Sequence, residues 1–269
     1  MNANRELTVW LEGIGCWTPD LPDWNAMRAW LCGGPDPEPG AAGKPRPALL
    51  PPGERRRAPY GVLVAIEVAS QAIAMSGRDA ARVPCVFASA HTDLEILDYT
   101  CATLATAPAE MSPTRFHNSV HNAAAGYWTM TTGCHAGANA LTAHEFTFGT
   151  SVLEAASLAD AESTPVLLVA NDGAGCGPLA EVIASTRHFA CALVLAPEAG
   201  PRALMKLTMR IAEHEALAPQ SARARALSEA NLSAAGSPLL EALANGVSSK
   251  LRIQAAPRLD LDMTLEFLA

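Results

Sequence analysis

The sequence predicts an α/β protein with one mixed, mostly parallel sheet covered by helices. Two observations carry that expectation. Short unbroken apolar runs of strand length, at 83–90 (VPCVFASA), 165–170 (PVLLVA) and 189–196 (FACALVLA), alternate with segments of helical periodicity. Strands that read as continuous apolar runs are those buried on both faces, and strand-helix alternation is the pattern of a sheet with helices on either side. With 269 residues and 49% hydrophobic content the chain can build one large core, and no linker-like break in composition divides it. Residues 1–269 are therefore expected to form a single domain.

Taken in order, 7–15 is an apolar run ending in glycine, which suits a buried strand. Trp24, Met27 and Trp30 then recur at helical spacing within 23–31. Residues 34–59 are dense in proline and glycine and end in Glu54-Arg55-Arg56-Arg57; such a stretch is expected to be a flexible surface excursion that buries no core. From Tyr60 to Met75 the apolar stripe Val62, Ile66, Ala69, Ile73 stops at Gly77, the pattern of a helix with a glycine cap. Helical character returns at 93–105 and 120–131, in alanine-rich segments with little charge on any side, as expected of helices packed on both sides. The last third is less regular: 203–211 and 251–267 alternate well enough for strands, and 212–238 is polar, alanine-rich and expected to be a mobile helix or loop.

Bulk properties narrow the function classes. A net charge of -8 argues against nucleic acid as a partner. No apolar run reaches the length of a membrane span, and MNANRELTVW has neither a basic region nor an apolar one of the secretory kind, so a cytoplasmic location is expected. Seven cysteines without C-x-x-C spacing make a poor disulfide framework, and their apolar surroundings suit buried thiols. His117, His121, His135 and His144 are close in sequence, but no acid or cysteine set completes a tetrahedral site, so no metal is expected. The run Asn171-Asp172-Gly173-Ala174-Gly175-Cys176-Gly177 lacks the spacing and the lysine of phosphate-binding loops and reads as a turn at a strand end.

The segment Phe116 to Gly149, FHNSVHNAAAGYWTMTTGCHAGANALTAHEFTFG, resembles the core of the β-ketoacyl synthases, the condensing enzymes of the thiolase-like superfamily. Those enzymes read N-x-x-A-G-x-x-S-I-x-x-G-x-x-G-P, then a short strand, then T-A-C-x-x-G opening a buried helix. Asn122, Ala125, Gly126, Thr129, Met130 and Gly133 follow the first half of the pattern. Twelve residues past Gly133, where the synthases carry their nucleophilic cysteine, stands Glu145; matching Gly149 to the glycine after the nucleophile gives Phe146 instead. Neither residue forms an acyl thioester. Cys134 sits in a T-x-C-x-x-G sequence of its own, but only eight residues after Gly126, too close to leave room for the intervening turn and strand.

Similarity extends to LTVWLEGIGCWTPDLPDWNAMRAWLCG, RRAPYGVLVAIEVASQAIAMSG, VPCVFASAH, MSPTRF, PVLLVANDG and HFACALVLAP, which resemble successive pieces of the synthase N-terminal half. Almost nothing resembles the C-terminal half, and after His188 only His214 remains of the histidines. The resemblance thus implies a thiolase-like N-terminal half with the C-terminal half largely absent, of the kind found in short chain length factors of aryl polyene and xanthomonadin-type pigment clusters. It implies a catalytically silent subunit, with no cofactor, that pairs with a full-length β-ketoacyl synthase and meets an acyl carrier protein through that complex. Phe116, Val120, His121, Trp128 and His144 are expected to line the shared acyl tunnel. An isolated half-fold would also leave apolar helix and sheet surface for the partner to cover. The alternatives are a stand-alone carrier-protein-dependent decarboxylase or acyltransferase using Glu145 or Cys134, and a non-catalytic acyl-binding scaffold.

Overall fold

A computed structural model describes residues 6–91, 93–216 and 220–268. Along the chain run β1 (Leu7–Trp17), α1 (Trp24–Leu31), α2 (Pro52–Arg57), α3 (Tyr60–Ser76), β2 (Cys85–Ala88), α4 (Leu94–Thr106), α5 (Pro113–His117), α6 (Ala123–Thr132), β3 (Ala138–Leu141) and α7 (Thr147–Glu162). They are followed by β4 (Val166–Asp172), β5 (Phe189–Ala196), β6 (Met205–Glu213), α8 (Ala222–Ala230), α9 (Ser237–Asn245), β7 (Ser249–Ala256) and β8 (Leu259–Phe267).

The strands form one sheet in the order β3-β2-β4-β5-β1-β6-β8-β7. It is mixed, as expected, but not mostly parallel: only β2 with β3 and β2 with β4 pair in parallel, and the other five pairings are antiparallel. An apolar run buried on both faces looks the same whichever way it points, so β5, which runs against both of its neighbours, could not be oriented from its composition.

Strand alternation splits the core into two. Val166, Leu168 and Ala170 of β4, with Cys191, Leu193 and Leu195 of β5, face one cluster; Leu167, Val169, Ala190, Ala192 and Val194 face the other. The second cluster is closed by α3, whose backbone lies directly on β1. A Cβ at Gly13 would stand 2.1 Å from the Ala72 carbonyl oxygen, and one at Gly15 2.1 Å from that of Val68, so only glycine admits this approach. The first cluster is closed by α7, which carries the buried residues Phe148, Val152, Ala155, Ala156 and Ala159.

The last third supplies what the half-fold was expected to lack. α7 touches β2 and β4 near one end of the sheet order and β7 at the other, so the β7-β8 hairpin curls over the helix. Thr150 Oγ1 donates to the Ala255 carbonyl at 2.8 Å, and a Cβ at Gly149 would stand 2.2 Å from the Gln254 carbonyl oxygen. The apolar face of α7 is therefore covered by the chain's own C-terminal strands and not left for a partner.

One further expectation changes, and one stretch gains detail. The proline-rich 34–59 stretch is largely on the surface but contributes the fully buried Leu50 to the second cluster. Residues 212–238, expected to be mobile, carry α8 and a 3-10 turn (Leu232–Gly236) in which Ser233 and Ala234 are fully buried; 217–219 lie outside the described residues. Among the described residues no helix is long and apolar enough to cross a membrane.

Candidate functional site

At the C-terminal ends of the parallel strands β2 and β4 lies a small cavity of about 60 Å³. Strand ends of this kind are where side chains from separate loops converge on a ligand. Its walls come from the start of α3 (Tyr60, Gly61), the end of β2 and its loop (Phe87, Ser89, His91), the start of α4 (Asp93, Glu95), the turn after β4 (Asn171, Gly173), His188, and Val120 and His121. Asp93 caps α4 through the Ile96 N–H at 3.0 Å.

A buried carboxylate organises these walls. Asp172 accepts the Ser89 hydroxyl at 2.8 Å, the Ala90 and His91 N–H groups at 3.0 Å each, and the Ser233 hydroxyl. Burial pushes its pKa up, while these four donors pull it back toward the charged form. The network ties the 89–91 loop to the C-terminal third. His121 Nε2 lies 3.3 Å from the Ser89 carbonyl oxygen. His188 Nδ1 accepts the Ala174 N–H at 3.3 Å, and its ring lies 4.4 Å from that of Tyr60. Burial holds His188 below the ordinary histidine range, so the ring is neutral at pH 7.

Beside the cavity, β3 turns into α7. The bend falls on His144, whose φ of 52° is rare for a side-chain-bearing residue. Thr147 holds it there: Thr147 Oγ1 accepts the Ala143 N–H at 2.9 Å and donates to the His144 carbonyl at 2.6 Å. The His144 ring stands 5.6 Å from that of His91, edge to face, and His91 Nε2 is buried without a partner. Glu145 points elsewhere, to a groove shared with Lys250 and Arg252. The two positions that spacing favoured, Glu145 and Phe146, thus follow the bend, and no thiol occupies any of the three. Cys134 lies toward the opposite end of β3, only 5% exposed, its Sγ donating to the Val83 carbonyl at 3.5 Å.

Of the residues expected to line a tunnel, Val120 and His121 reach the cavity, and His144 adjoins it through His91. Phe116 does not: it is 64% exposed and projects from α5. Trp128, on the buried side of α6, is fully buried in the second core cluster and does not reach the cavity. Tyr60, His91 and His188 went unseen in the sequence; their signal was a polar or aromatic residue just beyond an apolar run or a proline-marked helix start. Among the described residues no group of three or more histidine, cysteine, aspartate or glutamate side chains is placed to hold a metal ion.

Outside the cavity a groove of about 540 Å³ runs between α2, α5 and α6, lined by Arg57, Thr114, Val120, Tyr127 and Met130. Val120 and Met130 expose apolar side chains in this groove, and Phe116 exposes another on α5. At the end of the sheet order β3 exposes Ala138, Asn139 and Ala140 and pairs only with β2 among the described strands.

The family model described as Beta-ketoacyl synthase, N-terminal domain, matches residues 29–257. No curated protein matches the chain in sequence. Among solved structures, a chain from the complex of the ketosynthase ApeO with its chain length factor ApeC from Xenorhabdus doucetiae is similar at 21% identity. It has a TM-score of 0.73, over 96% of this chain and 99% of that one. A chain of the AntDE:AntF complex, a type II polyketide synthase carrier protein with its ketosynthase, is similar at 12% identity and TM-score 0.71, over 98% and 100% of the two chains. The ishigamide ketosynthase/chain length factor follows at 10% identity and TM-score 0.65, over 98% and 100%. At these identities the likeness is one of fold.

Proposed function

Because this chain belongs to the β-ketoacyl synthase N-terminal domain family, we propose that it is a catalytically silent chain length factor: it pairs with a full-length β-ketoacyl synthase and shapes that enzyme's acyl tunnel. The observation that carries the reading is the bend from β3 into α7, where Thr142-Ala143-His144-Glu145-Phe146 offers no thiol. Condensation by this family needs a thiolate to hold the growing chain, and the partner supplies it.

Two features support the pairing. The outer edge of β3 is an open row of backbone donors and acceptors, a template for a strand from another chain. Phe116, Val120 and Met130 add an apolar surface on the α5–α6 side. Size supports a shared tunnel: ligand pockets run to about 300–1,000 Å³, far above the cavity of about 60 Å³ that reaches Val120. A long acyl chain therefore needs walls from both subunits, with Val120 and His121 on this side and Phe116 directed at the partner. The product class suggested by the resemblance is a stiff polyene of the aryl polyene or xanthomonadin type, made in the cytoplasm on an acyl carrier protein.

Co-expression with the ketosynthase tests this. The expected result is a stable heterodimer burying more than roughly 2,000 Å², as obligate pairs do, with intact-mass spectrometry after addition of acyl carrier protein substrate showing acyl adducts on the ketosynthase alone. An adduct on this chain would overturn the silent role, and failure of the two chains to associate would overturn the pairing.

A further inference from the structure

A second cavity, of about 490 Å³, lies on the far side of His188. Its apolar part is formed by Leu21, Trp30 at the end of α1, Pro37, Phe189 at the start of β5, and Leu227 of α8, with Asp20, Asp36 and Arg187 beside them. Leu21 and Phe189 are themselves buried in the core, so this is a recess in the packed body of the protein. Its volume falls in the range of sites that enclose small ligands. His188 is the side chain common to the walls of both cavities.

Resting on the tunnel reading above, we infer that the acyl path does not end at Val120 but continues past the Tyr60–His188 pair into this second cavity, which receives the apolar end of a long unbranched acyl chain. The partition suits such a passenger. The His188 ring accepts the Ala174 N–H and lies tilted against Tyr60, and it carries no charge at neutral pH that an apolar chain would have to desolvate. Two aromatic rings that turn about their χ angles can part without any backbone change.

Charged groups at the rim are already satisfied. Arg187 pairs with Asp20, Asp20 also accepts the Gly40 N–H at 2.8 Å, and Trp30 Nε1 donates to Asp36 at 2.9 Å. Arg223 stacks over the Trp30 ring at 5.4 Å. With Arg187 paired to Asp20, the apolar part of the cavity suits the end of a chain better than a free carboxylate.

The test has two parts. First, cis-parinaric acid, a conjugated tetraene whose fluorescence rises on leaving water, is titrated into the full chain and into the Leu227→Trp and Ala226→Trp variants. Ala226 is exposed at the cavity wall, so that variant retains the core. Both are expected to weaken binding by about tenfold or more by filling the space, with melting temperature reporting that each is folded. Probe affinity unchanged in the folded variants overturns the cavity as a binding site. Second, carrier-bound products of the reconstituted complex are compared for Ala226→Trp and Val120→Trp. Shortening by both is the expected outcome. Shortening by Val120→Trp alone overturns the continuation past His188, whereas no shortening by either traces the failure to the tunnel reading itself.

Discussion

Replacing Gly149 by alanine probes how the C-terminal strands are seated on α7. The added Cβ would stand 2.2 Å from the Gln254 carbonyl oxygen, 2.8 Å from its carbonyl carbon and 3.0 Å from the Ala255 Cα. All three are backbone atoms, so no side-chain rotation relieves the contact, and β7 must move off the helix by about an ångström. Overpacking of this kind costs about 1–3 kcal/mol. The same displacement stretches the Thr150 Oγ1 to Ala255 carbonyl hydrogen bond of 2.8 Å, worth about 1 kcal/mol net. At about 2–4 °C per kcal/mol for a chain of this size class, a combined loss of about 2–4 kcal/mol lowers the melting temperature by roughly 5–15 °C. Thermal unfolding by circular dichroism reads the shift, and limited proteolysis with mass mapping should show earlier cleavage around β7. A melting temperature within about 1 °C of wild type would refute the close seating of β7 on α7, and with it the account of how a half-fold covers its own helix.

Gly126, in the middle of α6 with open space where its Cβ would lie, should respond in the opposite sense: alanine there is expected to stabilise by about 0.5–1 kcal/mol, read as a rise of roughly 1–4 °C. His188 gives a pH dependence. Its folded pKa lies below the ordinary value, so the unfolded chain binds the extra proton first, and stability is full above about pH 6.5 and lost as pH falls through that value toward the folded pKa. The melting temperature should drop between pH 7.5 and 5.5, and His188→Gln should flatten that drop; an unchanged slope would count against a buried neutral His188. Thiol labelling of the native chain with iodoacetamide should modify the exposed Cys32 and Cys101 first and spare Cys134, Cys85 and Cys191, the last two held by burial at about 12. Early labelling of Cys134 would revive it as a nucleophile.

Much of the architecture was legible because apolar runs buried on both faces cannot be mistaken for surface: β2 and β5 fall within the expected 83–90 and 189–196, and β4 overlaps the expected 165–170 but runs on to Asp172. The helix read from Tyr60 to Met75 is α3, and its glycine cap is Gly77 at φ 66°. The curl of the β7-β8 hairpin over α7 was not legible. It depends on Gly149 meeting Gln254, two residues far apart in sequence whose contact has no local signature. The bend at the head of α7 was not legible for a related reason: counting from Gly133 or back from Gly149 measures spacing, whereas the positive φ that marks His144 is a backbone property held by Thr147. Trp128 looked like a tunnel residue because it stands in a matched motif, yet helical periodicity turns it inward. Tyr60, His91 and His188 come from three separate segments and meet only once β2, β4 and β5 are side by side.

Product length is the most direct measure of the central claim. Val120 borders both the small cavity and the groove on the α5–α6 side, so a tryptophan there narrows the place where the two subunits' walls are proposed to meet. Blocking costs of about 1–3 kcal/mol slow extension past that point by about ten- to hundredfold, while Phe116→Ala should leave room for at least one further two-carbon unit. Mass spectrometry of the carrier-bound products of the reconstituted heterodimer is predicted to show shorter chains with Val120→Trp and longer ones with Phe116→Ala. The same product distribution in both variants, with the heterodimer intact, would contradict a chain-length role.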